Sequence, residues 1–152
     1  MSLQSLLNEN KIEKIEISMT AIRNKMNKAY SYLNLAKKAT TYSEENEPIY
    51  TNVYDSIRIG CEAILLFYGY RVKASSEARH RIVIEITKDL AGAELNNEFQ
   101  RMQMMRKKRN KLEYGNLTSI SESELKQSIE DAKKLLEKCE MLIKSKTPAL
   151  DI

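Results

Sequence analysis

One segment of the 152-residue chain concentrates the residues able to bind a negatively charged ligand. Between Phe99 and Leu112 the chain has no acidic residue and six basic ones: Arg101, Arg106, Lys107, Lys108, Arg109 and Lys111. Because the whole chain has a net charge of only +4, the rest of it is nearly neutral and the positive potential is local. Such a run most often forms a solvated helix face. Asn110 and Tyr114 follow Arg106 at four-residue spacing, and this polar stripe favours a binding site over a merely solvated face.

Helix geometry places Arg109 inside the apolar face of the same segment. At about 100° per residue, that face consists of Phe99, Met102, Met105 and Leu112. A guanidinium there needs an anion, because an unpaired buried charge costs several kcal/mol. One interpretation is a structural ion pair, for which the candidate carboxylates are Glu113, Asp55 and Glu62. The other is that Arg109 lies in a groove or subunit interface and offers its planar donors to a phosphate.

His80 is the only histidine, so it limits both metal and acid–base chemistry. A structural zinc site is not expected, since zinc sites without a Cys cluster need several histidines. His80 lies between Arg79 and Arg81, close to Arg71 and Lys73, and this second basic set extends the positive surface. A partly exposed histidine or a phosphate contact is the favoured interpretation of His80, ahead of a catalytic base.

Two stretches resemble the HEPN superfamily (higher eukaryotes and prokaryotes nucleotide-binding domains). Tyr54-Asp55-Ser56-Ile57-Arg58, Glu62 to Leu66 and Gly69-Tyr70-Arg71 resemble its second helix, and Arg106 to Gly115 resembles its signature helix. The resemblance spans roughly Ala29 to Ile143. It implies a compact helical bundle, often a symmetric homodimer with facing signature helices. Many members are metal-independent endoribonucleases, frequently toxins encoded beside a small nucleotidyltransferase antitoxin, whereas others are RNA-binding or scaffold modules.

The catalytic motif of that family is an arginine followed, after four to six residues, by a histidine. Here Arg109 takes the arginine position and Asn110 the polar position after it, but Tyr114 stands where the histidine is expected. A tyrosine with the ordinary pKa of about 10 is ionised to only about 10⁻³ at pH 7, so it replaces a histidine base poorly. Tyr114 can still donate a hydrogen bond to a phosphate or stack on a base. Asn116 occupies the position of a tyrosine that the partner enzyme of some family toxins modifies.

Three hypotheses follow from these residues. The leading one is a HEPN-like domain that binds RNA or nucleotide phosphates through Arg106, Lys107, Arg109, Asn110 and Tyr114, in a toxin–antitoxin-type module with weak or no nuclease activity. The second is an active endoribonuclease toxin whose catalytic residues are Arg109 and Tyr114, helped by His80. The third is a protein interaction or scaffold bundle that docks a partner such as a nucleotidyltransferase, with Arg109 in a structural ion pair.

Composition and length predict one globular domain over residues 1–152, with a core at about 14–145 and frayed ends. With 42% hydrophobic and 30% charged residues, four Gly and two Pro, the chain is neither disordered nor fibrous. It has no long apolar window and no signal-peptide pattern, so we expect a cytoplasmic protein with no membrane partner. We expect no cofactor or metal. Cys61 and Cys139 are predicted to be reduced core residues.

Hydrophobic periodicity predicts an all-α, up-and-down bundle of about five helices, and the family resemblance implies that the bundle is HEPN-like. The first helix, of about 25 residues, carries on one face Ile15, Met19, Ile22, Met26, Ala29, Leu33 and Ala36. The second runs from about Pro48 to Tyr68, with an apolar C-terminal part central in the core and Gly69 as a left-handed cap. The third begins after Ser75 or Ser76, and its run Ile82 to Ile86 is equally compatible with a strand, but helical neighbours favour a helix.

The last two predicted helices flank Gly115. The fourth runs from about Ala93 to Tyr114 and is stopped by that glycine. The fifth has the clearest start, because Ser121 caps it and Glu124 stands three residues later. Its apolar face consists of Leu125, Ile129, Ala132, Leu136, Cys139 and Ile143.

Overall fold

The computed structural model describes residues 2–42, 45–73, 76–91, 95–113, 115 and 119–146, and within them the protein is an all-α bundle with one small sheet. The predicted all-α bundle is therefore confirmed. The elements are α1 (Leu3–Asn8), β1 (Ile12–Lys14), α2 (Met19–Ala39), α3 (Asn46–Phe67), β2 (Tyr70–Val72), α4 (Ser76–Ala91), α5 (Asn96–Glu113) and α6 (Glu122–Lys146).

Helix α3 is the centre of the bundle, because α2, α4, α5, α6 and β2 all pack against it. Its C-terminal half is buried around most of its circumference, as the sequence predicts, and Ile57, Cys61 and Ile64 have no exposed surface. Both cysteines are buried free thiols, also as predicted. Burial raises the pKa of Cys61 to about 12, so this thiol is unreactive at neutral pH.

Gly60 sets how closely α6 approaches α3. A Cβ atom at this position would overlap Cδ2 of the buried Leu136. We expect Gly60→Val to lower the free energy of unfolding by about 1–3 kcal/mol in urea denaturation, through overpacking. Adding Leu136→Ala vacates the space, so the double variant should be less destabilised than the sum of the single variants. Additive losses would contradict the proposed contact.

Several predicted helix signals are confirmed. The run Ile82 to Ile86 is helical, within α4, and Gly69 after α3 has the left-handed φ of +87° that a glycine cap adopts. At the start of α6, the Glu124 amide donates to Ser121 Oγ over 3.1 Å. Residues 93–94 and Tyr114, at the predicted ends of α5, lie outside the described residues, as does Ser75.

The predicted start of the first long helix is wrong. That helix, α2, begins at Met19 after the cap residue Ser18, and has 21 residues instead of about 25. Ile15 lies before it in non-helical backbone, where its amide donates to the Gly69 carbonyl over 2.9 Å. Ile15 fits the helical period but lies outside the helix. The helix begins after Ser18, because the side chain of Ser18 accepts a hydrogen bond from the amide of Ala21.

The sequence interpretation also missed α1 and a two-stranded antiparallel sheet. In the sheet Ile12 pairs with Val72, and the Arg71 side chain binds Glu13 with Nε 2.8 Å from Oε1. Leu6 and Ile12 belong to the core, which therefore begins before residue 14. Strands of three residues are too short to display a two-residue hydrophobic period, so no local pattern predicts them.

Candidate functional site: a polar cluster where three helices meet

The basic run of α5 is divided among several faces of the helix. Two of its members point toward α6 and are neutralised there. Arg101 Nε donates to Asp131 Oδ2 over 2.7 Å, and Lys108 forms an ion pair with Glu124. These two cations therefore form ion pairs between α5 and α6 instead of facing solvent alone.

The residues predicted to bind phosphate occupy the other faces. Arg106 and Lys107 line a groove between α4 and α5, and Arg106 Nε donates to Gln103 Oε1 over 3.0 Å. Asn110 is half-buried. Tyr114, which takes the histidine position in the family resemblance, lies outside the described residues. Of the predicted stripe of Arg106, Asn110 and Tyr114, the structure therefore describes only Arg106 and Asn110.

Arg109 points toward α3, where Asp55 is its anion. Its Nε lies 3.7 Å from Asp55 Oδ1, and only 17% of its side chain is exposed. The guanidinium carbon lies 5.6 Å from the centroid of the Tyr54 ring, within the range of a cation–π interaction. Of the other two candidate carboxylates, Glu62 forms ion pairs with other cations, and the Glu113 side chain is outside the description.

Arg109 is one member of a group that we name the central polar cluster. Its members are Tyr54, Asp55, Arg58 and Glu62 on α3, His80 on α4 and Arg109 on α5. The four residues of α3 follow one another at spacings that keep them on one side of the helix. That side meets α4 and α5, so three helices bring the cluster together.

Glu62 is the most buried carboxylate of the cluster, with 8% of its surface exposed. Arg58 Nη1 donates to its Oε2 over 2.9 Å, and Lys25 Nζ to its Oε1 over 3.2 Å. Arg79 Nη2 lies 3.5 Å from the same Oε1. One carboxylate thus serves three cations, so this end of the cluster carries surplus positive charge.

Two donors of the cluster, the Tyr54 hydroxyl and Arg58 Nε, are buried without an acceptor among the described residues, and the acceptor Asp55 Oδ1 is buried there without a hydrogen-bond donor. Asp55 Oδ1 lies 3.6 Å from Arg58 Nη2, which is an ion-pair contact beyond hydrogen-bond distance. A buried donor left unsatisfied costs about 1–3 kcal/mol. The cluster therefore has donor capacity for an additional acceptor. Burial raises the pKa of Tyr54, despite the opposing arginine charges, so its hydroxyl keeps its proton.

His80 joins the cluster from the first turns of α4. Its ring centroid lies 6.0 Å from that of Tyr54. Burial, followed by the charges of Arg58, Arg109 and Arg79, lowers the pKa of His80 to about 4. The structure thus brings together His80 and Arg109, which are 29 positions apart (109 − 80). At neutral pH the imidazole is uncharged and has one acceptor nitrogen.

The lowered pKa of His80 makes stability depend on pH. An unfolded histidine titrates near 6.5, so between about pH 6.5 and 4 the unfolded chain binds more protons than the folded one. We expect the free energy of unfolding to fall as the pH falls through this window. His80→Asn should flatten that dependence in urea denaturations. Because the chain has one histidine, its imidazole signal in NMR reports the pKa directly. A value near 6.5 would contradict the burial of His80 in the structure.

Sequence comparison adds no relatives to this description. No protein-family model matches the chain, and no curated protein matches it. Among the described residues, no group of three or more His, Cys, Asp or Glu side chains is arranged to hold a metal ion. None of the described helices combines the length and apolar character needed to cross a membrane.

Sequence reasoning missed Tyr54 and Arg58 as members of the site. The signal that could have indicated them is the spacing of Tyr54, Arg58 and Glu62, which places a phenol, a guanidinium and a carboxylate on one side of an otherwise apolar helix. Buried helix faces are usually apolar, so polar residues on such a face indicate a site with a specific role.

Proposed function

We propose that this protein binds RNA through a backbone phosphate at the central polar cluster. The observation that carries the proposal is the pair of buried donors, Tyr54 Oη and Arg58 Nε, which have no acceptor among the described residues. The Tyr54 ring contacts the guanidinium of Arg109, and Arg58 and Arg109 both approach Asp55 Oδ1, at 3.6 and 3.7 Å. Oxygen acceptors of an anion would satisfy these donors, and the surplus positive charge around Glu62 favours one that is negatively charged.

A phosphate fits the cluster chemically. Guanidinium groups present rigid, planar sets of donors that match phosphate oxygens, and Arg58 and Arg109 approach from two different helices. Burial is the main cause of the low pKa of His80, and a bound anion offsets the smaller contribution of Arg58, Arg109 and Arg79. We therefore expect phosphate to raise the pKa of His80.

The experiment is fluorescence anisotropy with a labelled single-stranded RNA at 50 and 200 mM salt. We expect micromolar binding at the lower salt that weakens at the higher salt, as phosphate contacts require. Arg106→Ala and Arg109→Ala together should weaken it at least tenfold. The matched control is Lys37→Ala with Lys38→Ala, two exposed cations at the end of α2. Absence of binding at low salt, or equal binding by both double variants, would overturn the proposal.

The position of His80 favours a second candidate function, metal-independent cleavage of RNA. A neutral imidazole beside Arg109 can take the proton from a ribose 2′-hydroxyl, which then attacks the phosphate that the arginines hold. The 5′ oxygen leaves and needs a proton donor, a role open to the Tyr54 hydroxyl or to Tyr114. With its pKa near 4, His80 is a weak base at pH 7, which favours binding as the main function.

Cleavage is tested by incubating RNA with the protein in the presence of a chelator. The expected products end in a 2′,3′-cyclic phosphate and a 5′-hydroxyl, and His80→Asn should abolish them while RNA binding persists. Intact RNA after prolonged incubation would reject this candidate and leave the binding proposal in place.

The HEPN resemblance extends the proposal to the biological setting. We place the protein in a toxin–antitoxin-type module, as a homodimer with a nucleotidyltransferase partner. What supports this is the contact of Arg109 with Asp55 and Tyr54, which joins the two segments that carry the resemblance. Light scattering tests the dimer, and a monomer at micromolar concentration would contradict it.

A further inference from the structure

The face of α5 that turns toward α4 borders an open groove with a basic rim. The groove encloses about 510 Å³, and four cations line it: Arg81, Lys88, Arg106 and Lys107. Glu85 is the only carboxylate among the described residues of its lining, with Oε1 4.0 Å from Arg81 Nε. We name it the α4–α5 groove. Its lining has a net charge of +3, four cations against one anion.

The lysines of the α4–α5 groove differ from the neutralised cations on the α6 side of the same helix. Lys88 and Lys107 are exposed, and neither forms an ion pair with a residue that the structure describes. Lys108, one position further on, is paired with Glu124. The cationic residues of α5 thus separate into one set that stabilises helix packing and one set that faces solvent without counter-charges.

The groove and the central polar cluster are bordered by neighbouring residues of α5. Arg106 lines the groove and precedes Arg109 by one helical turn, about 4.5 Å along the axis. Its charge also acts on Tyr54, where it partly offsets the rise in pKa that burial causes. Arg106 therefore lies between the groove, which it lines, and the central polar cluster, on which its charge acts.

We propose that the α4–α5 groove binds the single-stranded RNA that flanks the phosphate held at the central polar cluster, a proposal that rests on the proposed function. Packed helices lie about 8–10 Å apart, so a groove between neighbours admits one sugar–phosphate backbone but not a duplex. Gln100 and Gln103 line the groove, and their side-chain amides can form hydrogen bonds with the 2′-hydroxyl, the group that distinguishes RNA from DNA. Met104, 63% exposed, offers an apolar contact for a base.

The test compares two ligands and three proteins. The proteins are the wild type, Lys88→Gln with Lys107→Gln, and the control Lys37→Gln with Lys38→Gln, which removes the same charge from α2. The first ligand is a labelled oligouridylate of about 12 nucleotides, measured by anisotropy at 50 and 200 mM salt. The second is uridine 3′-monophosphate, followed through the NMR signal of His80. A deoxyuridylate oligomer of equal length serves as the DNA comparison.

We expect the groove variant to bind the oligouridylate at least tenfold more weakly at low salt, with the slope of log affinity against log salt reduced by about 1.4 for two lost contacts. Its affinity for the monophosphate should stay within twofold of the wild type. If the groove variant and the control variant bind the oligouridylate equally, while uridine 3′-monophosphate still shifts the NMR signal of His80, the groove proposal is overturned and the proposed function stands. If the wild type binds neither ligand, the proposed function falls and the groove with it. DNA that binds as tightly as RNA overturns the assignment to RNA.

Discussion

Replacing Glu62 with glutamine is expected to lower the free energy of unfolding by about 3 kcal/mol. The variant keeps the shape of the side chain but removes the charge that Lys25, Arg58 and Arg79 share. Removing one partner of a buried ion pair leaves the other charge uncompensated, and here three cations lose their common anion. The expected loss lies at the lower end of the range for broken buried ion pairs, because Lys25 and Arg79 are partly exposed and water screens their charges.

The measurement is urea denaturation at pH 7, with sodium chloride and sodium phosphate compared at equal ionic strength. Phosphate should restore part of the lost stability of Glu62→Gln, because an anion that binds only the folded state stabilises it. Glu130→Gln is the matched control, since Glu130 is an exposed carboxylate of α6 whose loss should change stability by no more than about 0.5 kcal/mol. A loss below 1 kcal/mol for Glu62→Gln would contradict the charge arrangement described here.

Replacing Arg58 with methionine is expected to reduce the affinity for uridine 3′-monophosphate about 30- to 100-fold. This corresponds to about 2–3 kcal/mol, the value of hydrogen bonds to a charged group. Stability should change by less than about 1 kcal/mol, because methionine retains the apolar stem and Glu62 retains Lys25 and Arg79. The pKa of His80 should rise, since burial remains but one of the charges that lower it is gone.

Arg58→Lys separates charge from geometry in the same experiment. Lysine keeps the positive charge, so the pKa of His80 should stay low, but it lacks the planar donors and should not restore phosphate binding. NMR titration of His80 and of the ligand's ³¹P signal measures both properties. If Arg58→Met raises the pKa of His80 yet leaves the affinity unchanged, the phosphate does not bind at the central polar cluster.

The inward position of Arg109 could be predicted from the sequence because it depends only on the period of a straight helix. Counting at 100° per residue correctly indicates a guanidinium that turns away from solvent. The contact of Arg109 with Asp55, one of the three candidate carboxylates, depends on how α5 packs against α3. The same holds for His80, which joins the site because α4 crosses the face of α3 that carries Tyr54.

The limits of local patterns also explain the errors in the predicted fold. The hydrophobic period predicts too early a start for α2 because Ile15 fits that period. The capping side chain of Ser18 determines the observed start. The sheet escaped prediction because the partners of its strands are remote, with Glu13 and Arg71 separated by 58 positions. Patterns that need one helix are readable in the sequence, and pairings that need the assembled bundle are not.

The β1–β2 pairing has a consequence for where the chain can be shortened. β2 directly precedes α4, and the first turns of α4 carry Arg79 and His80. Through Lys73, whose amide donates to the Lys11 carbonyl over 2.6 Å, the N-terminal residues hold the segment that leads into those turns. A truncated protein that begins at α2 would lose this support together with the core residue Leu6. We therefore expect the smallest fragment that preserves the central polar cluster to include α1 and β1, although neither contributes a side chain to it.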